Sequence, residues 1–79
     1  MATTTDPSAT AMLIARTMVH NMQIAAGQGA PFMAVRLAAE KNGMSTQDFA
    51  PGIEHGAQWG MFEVSSNWIK LTQAGFKAA

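Results

Sequence analysis

Five residues in the middle of the chain, Lys41-Asn42-Gly43-Met44-Ser45, stop one helix and start another with no room for a linker. A cation in a last turn offsets the negative end of the helix dipole, and glycine supplies the left-handed residue that closes a helix. Ser45 is a capping residue, and Ser45-Thr46-Gln47-Asp48 resembles a capping box with Asp48 in place of the usual Glu or Gln. Met44 and Phe49 stand where a hydrophobic staple places its two members. The chain therefore contains two helices joined by a short turn.

The other elements follow from similar signals. Residues 1–5 are polar and read as a flexible arm ahead of one domain over 6–79. Asp6 caps and Pro7 opens a first helix over about 7–26, since a proline there gives up no hydrogen bond. On a helical wheel Ala11, Ile14, Ala15, Met18, Met22 and Ala25 share one side, widened by Val19 and Ala26. Gly27-Gln28-Gly29 ends that helix, and Pro31 opens a second over 31–42. The third spans 45–59, kinked or restarted at Pro51 because proline deletes a backbone hydrogen bond. Gly60 stops it. The apolar period then changes from helical to alternating: Phe62 and Val64 flank Glu63, and Ile69 and Leu71 flank Lys70. Ser65-Ser66-Asn67 connects them as a hairpin over 61–71, with Glu63 facing Lys70. Gln73 to Lys77 forms a last helical turn. The expected core is Met18, Met22, Val35, Leu37, Phe49, Ile53, Trp59, Phe62, Ile69 and Leu71, with most of the seven methionines as core filler.

Composition narrows the function. The 79 residues carry five Lys+Arg and five Asp+Glu, a formal net charge of zero, and charged residues make up 13% of the chain. That balance lacks the electrostatic footprint of a nucleic-acid binder. There is no cysteine, hence no disulfide, thiolate metal site or cysteine nucleophile. The first residues have neither a basic nor an apolar signal-peptide region, and no apolar run approaches the roughly 20 residues that span a bilayer. A cytoplasmic protein with no membrane partner is the expectation. His20 and His55 lack metal-ligand spacing, the serines are explained as caps and turns, and no phosphate-binding glycine loop is present. A non-enzymatic chain without catalytic residues, metal or cofactor is expected.

Three segments carry a family likeness. Gly43-Met44-Ser45 with Asp48-Phe49, then Trp59-Gly60-Met61-Phe62-Glu63-Val64, then Ile69-Lys70-Leu71-Thr72-Gln73-Ala74-Gly75-Phe76, resemble the winged-helix family over residues 31–76. In that family a helix-turn-helix precedes a β-hairpin wing that closes on a hydrophobic-x-Leu-Thr-x-x-Gly pattern. The resemblance implies an α+β fold, three helices with a C-terminal two-stranded wing. It also implies DNA binding through the second helix of the motif, here Ser45 to Trp59.

The residues themselves favour a different partner. Base readout needs polar side chains at base edges and cations near phosphates. The segment from Ser45 to Trp59 holds no Lys or Arg, while Asp48 and Glu54 repel phosphate. DNA contact would fall to Arg36, Lys41, Gln47, Gln58 and Lys70, in a dimer acting as a transcriptional regulator. The first helix offers a second stripe, Leu13, Thr17, His20 and Ile24, suited to a twin helix or a partner protein. Trp68 opens the second wing strand on the face shared with Lys70, a position for a protein hot spot or for a contact with a base or sugar. The expectation is thus a small protein-interaction protein, an inhibitor or accessory factor of the phage or mobile-element type, that also pairs with itself through the first helix. The DNA-binding regulator is the alternative.

Overall fold

The computed structural model describes residues 7–79; the expected arm and the capping by Asp6 lie outside the described residues. In chain order the elements are α1 (Pro7–Arg16), a π-helical turn (Thr17–Asn21), β1 (Gly29–Pro31), α2 (Phe32–Lys41), α3 (Thr46–Gln58), β2 (Phe62–Ser65), β3 (Trp68–Leu71) and α4 (Gln73–Ala78). The fold is α+β: four helices and a three-stranded antiparallel sheet of order β1-β3-β2.

The α2–α3 turn is built from two interlocking helix ends. Gly43, at φ +97°, follows the cap residue Asn42. The Gly43 N–H donates to the Glu40 carbonyl at 3.0 Å and the Met44 N–H to the Ala39 carbonyl at 3.1 Å, the paired bonds of a Schellman motif. Ser45 then caps α3, its hydroxyl accepting from the Gln47 N–H at 3.3 Å. Met44 and Phe49 are both buried, as the staple requires. α3 runs through Pro51 as one helix and does not restart there. Pro51 and Gln47 both lie on the exposed face, so the carbonyl left without an intrahelical donor can be served by water.

The first helix is shorter than its sequence suggests. The Met22 N–H donates to the Thr17 carbonyl at 3.0 Å, a π-type bond, and Gln23 follows at φ +57°. The Thr17 hydroxyl donates back to the Leu13 carbonyl at 2.8 Å, a side-chain bond that competes with regular helix. The wide turn is held from α2: the Asn42 amide donates to Thr17 Oγ1 and to Asn21 Oδ1, both at 3.0 Å. Chain reversal at Gln23 returns Ile24 to the core at 8% exposure. It also lets residues 27–31 reach the sheet, where Gly27 N–H donates to the Leu71 carbonyl at 2.8 Å.

That segment is the third strand, absent from the expected two-stranded wing. β1 pairs antiparallel with β3, Ala30 opposite Ile69. Gly29 is needed there because a Cβ would run into the Ile69 carbonyl oxygen and lie 2.8 Å from Lys70 Cα, backbone atoms of the paired strand that cannot swing aside. Pro31 caps α2 in an extended conformation, one residue before its expected place inside the helix. The hairpin register is as read, Glu63 opposite Lys70, and the turn is the two residues between Ser65 and Trp68.

The core joins α1, α3 and the inner sheet face: Ala11, Ile14, Met18, Val35, Phe49, Ile53, Phe62, Ile69 and Leu71 are all buried. α3 presents Phe49, Gly52, Ile53 and Gly56 inward, and its two glycines admit Thr10 of α1 and the Phe62 ring. Three expected core residues differ. Met22 is half-buried, Leu37 is 51% exposed and Trp59 is 71% exposed. α2 is apolar almost all round, and Val35 and Ala39 take the inward face, which turns Leu37 and Met33 to solvent.

Candidate functional site

Trp59 is the most exposed of the large apolar side chains among the described residues. It is the cap residue at the end of α3. Gly60 follows at φ +76°. Its N–H donates to the Ala57 carbonyl at 3.1 Å, and the Met61 N–H donates to the Gly56 carbonyl at 2.7 Å. This second Schellman closure turns the chain into β2 and leaves the indole outside the core. The His55 ring, one helical turn earlier, lies 6.0 Å from it at 37°.

These two rings form one wall of a cleft of about 420 Å³ completed by Ser8 and Met12 of α1 and by Met61. The lining is a tryptophan, two flexible thioethers and two polar groups. An aromatic ring with a polar N–H beside adaptable methionines suits an inserted apolar side chain. The cleft exists because α1 packs along α3, and only tertiary contact brings Ser8 near Trp59. The sequence places Trp59 in the expected core and gives His55 no metal-ligand spacing, so nothing local announces the site.

A second groove, about 340 Å³, runs between the π-helical turn and α2, lined by Asn21, Met22, Ala34, Leu37, Ala38, Lys41 and Asn42. Met33, Leu37 and Lys41 follow one another at four-residue spacing along the exposed side of α2.

The residues expected to meet a partner are divided. Thr17 is fully buried and Ile24 nearly so, Leu13 is half-buried, and of the four-residue stripe His20 alone is exposed. The stripe presumed one helix to residue 26, whereas Ile24 lies beyond the π-helical turn. Trp68 is 47% exposed, on the outer sheet face with Lys70 as read.

The candidate DNA contacts are spread over three elements. On α2, Arg36 Nε lies 3.7 Å from Glu40 Oε2, longer than a hydrogen bond, and Glu40 also accepts from the Thr46 hydroxyl at 2.6 Å. Lys41 is exposed at the end of the same helix. Gln47 and Gln58 share the outer face of α3 about 16 Å apart at 1.5 Å per residue. Lys70 lies on β3, 4.0 Å from Glu63. The exposed residues of α3 are Thr46, Gln47, Ala50, Pro51, Glu54, Ala57 and Gln58, one carboxylate and no Lys or Arg. Among the described residues no three His, Asp or Glu side chains are grouped to hold a metal, and no helix is long and apolar enough to cross a membrane.

No protein-family model, curated protein or solved structure matches this chain.

Proposed function

We propose that the protein acts by binding another protein, with Trp59 as the anchor of the contact. The carrying observation is its 71% exposed indole on the rim of an apolar cleft. Tryptophan left in water beside a pocket is the side chain that most often dominates a protein interface when covered. A cleft lined by no Lys, Arg, Asp or Glu and an outer face of α3 without Lys or Arg fit a protein partner better than a phosphate backbone, whose binding depends on neutralising charge. An inhibitor or accessory factor of this size works by occupying a surface.

A second reading rests on the helix-turn-helix of α2 and α3 followed by the β2–β3 hairpin, which supports a winged-helix relationship and with it a DNA-binding regulator. Gln47 and Gln58 on one α3 face are the observation in its favour.

One pair of measurements separates them. Light scattering with mixed-sequence duplex DNA at low salt gives electrostatic binding its best conditions; no gain in mass is expected. Affinity capture from the source cells, wild type beside Trp59→Ala, should recover a specific protein with the first and lose it with the second. An unchanged capture set, or a DNA complex that dissolves as salt rises, overturns the protein-binding reading.

A further inference from the structure

We infer that Thr72 is the positioning residue of the Trp59 cleft, clamping the corner between α3 and β2 with a hydroxyl proton that a helix cap has no use for. The functional meaning of the clamp rests on the reading of Trp59 as a binding anchor; its existence does not.

Thr72 stands between β3 and α4. Its backbone N–H donates to the Met61 carbonyl at 3.0 Å. Its hydroxyl oxygen accepts from the Gly75 N–H at 3.1 Å, capping α4. The hydroxyl proton faces the other way. The carbonyls of Gly60 and of Met61, the latter at 2.9 Å, both accept it. A hydroxyl has one proton, so these two carbonyls share it, and they belong to the two residues that directly follow Trp59.

Gly75 completes the clamp. A Cβ there would run into the Met61 carbonyl oxygen and come within 2.8 Å of Leu71 Cδ1. From the opposite side the Met61 N–H is bound to Gly56 at 2.7 Å. Two of the five cleft residues, Trp59 and Met61, are thus carried on a corner gripped by α3 and by the start of α4. Thr72 does not line the cleft and acts through that corner. The Leu71-Thr72-x-x-Gly75 pattern gains a physical reason: threonine gives a bond in each direction, and glycine allows the approach.

Three substitutions divide cap from clamp. Thr72→Ser keeps both roles. Thr72→Asp accepts from Gly75 as a good cap but has no proton to give and sets a negative charge against two carbonyls. Thr72→Val keeps neither. The measurement is NMR on the full chain without a partner, reading the Trp59 indole N–H, the Met61 methyl and amide exchange, with thermal melting alongside. Thr72→Ser should match wild type. Thr72→Asp and Thr72→Val should both move the Trp59 and Met61 signals; Thr72→Asp should raise exchange of the Thr72 amide about fivefold, the loss of one hydrogen bond, and Thr72→Val by more, since it loses the cap as well. Wild-type Trp59 and Met61 signals in folded Thr72→Asp would reduce Thr72 to a cap and overturn the inference. Should the Asp and Val variants not fold, native-state exchange of wild type decides. Release of the Thr72, Met61 and Gly75 amides in one step supports the clamp, and release of Met61 while Gly75 stays protected overturns it. These signals need no partner, so failure of the binding reading leaves them standing, and loss of capture by Trp59→Ala says nothing about Thr72.

Discussion

Replacing Gly56 by alanine reverses the usual sign of a helix substitution. Inside a helix, Gly→Ala normally stabilises by about 1 kcal/mol, because alanine loses less backbone freedom. At Gly56 the added Cβ collides with Cδ2 and Cε2 of the Phe62 ring and comes to 3.5 Å from Cζ. Phe62 is 2% exposed and sits among other buried side chains, so its ring cannot swing aside without displacing them. Overpacking of a tight core costs about 1–3 kcal/mol, and a collision with two atoms of a fully enclosed ring belongs at the upper end. Subtracting the propensity gain leaves a net loss of about 2 kcal/mol. For a domain of this size that is a fall in Tm of roughly 8–16 °C. Urea and thermal unfolding by circular dichroism measure it, with an unchanged m-value showing that only stability has moved. The neighbouring exposed Ala57 is the control: Ala57→Gly reports propensity alone and should lose about 1 kcal/mol. A Gly56→Ala protein that melts higher than wild type would refute the close seating of α3 on β2.

Three other outcomes are expected. Ile24→Glu puts a charge into a side chain that is 8% exposed in the single chain and should unfold the protein, with a loss of more than about 3 kcal/mol; a folded particle of reduced mass in light scattering would show that Ile24 serves self-association instead. Asn42→Asp removes the two N–H donors that hold Thr17 and Asn21 and should cost about 1–3 kcal/mol, with faster exchange of the Met22 amide; an unshifted melt would mean that the π-helical turn holds itself. Glu63→Gln breaks only an exposed pair at 4.0 Å and should change stability by less than about 1 kcal/mol, as chemical denaturation can check.

What could be read in the sequence was whatever local chemistry decides. Gly43 and Ser45 stop and start helices by their own backbone and side-chain preferences, and Phe62 to Leu71 set a hairpin register by alternation. The failures lie where distant contacts decide. Nothing near Thr17 marks a π-helical turn, since Asn42, from another helix, holds it. β1 is three residues long and contains Gly and Pro, so no alternation exists to see. Leu37 and Trp59 look like core residues in the sequence because a large apolar side chain carries no local sign of the direction it takes. The cleft was invisible for the same reason: Met12 and Met61 read as filler until α1 and α3 are laid together.

The strand order carries a consequence for how the chain reaches this state. β3 is the central strand, and it is the last of the three in sequence. Val64 meets Ile69 five positions later, whereas Ala30 waits for the same residue across thirty-nine. Hairpin closure is local and fast, while the longer loop carries the larger closure entropy. β1 therefore has no partner until the hairpin has formed, and a nascent chain that has not yet supplied Trp68 to Leu71 has no sheet at all. Synthesis from the N-terminus produces α1, α2 and α3 before β3, and Ala30 has no strand to pair with until β3 follows. Both outer strands pair with β3 alone, so the integrity of each depends on the same four residues, Trp68 to Leu71.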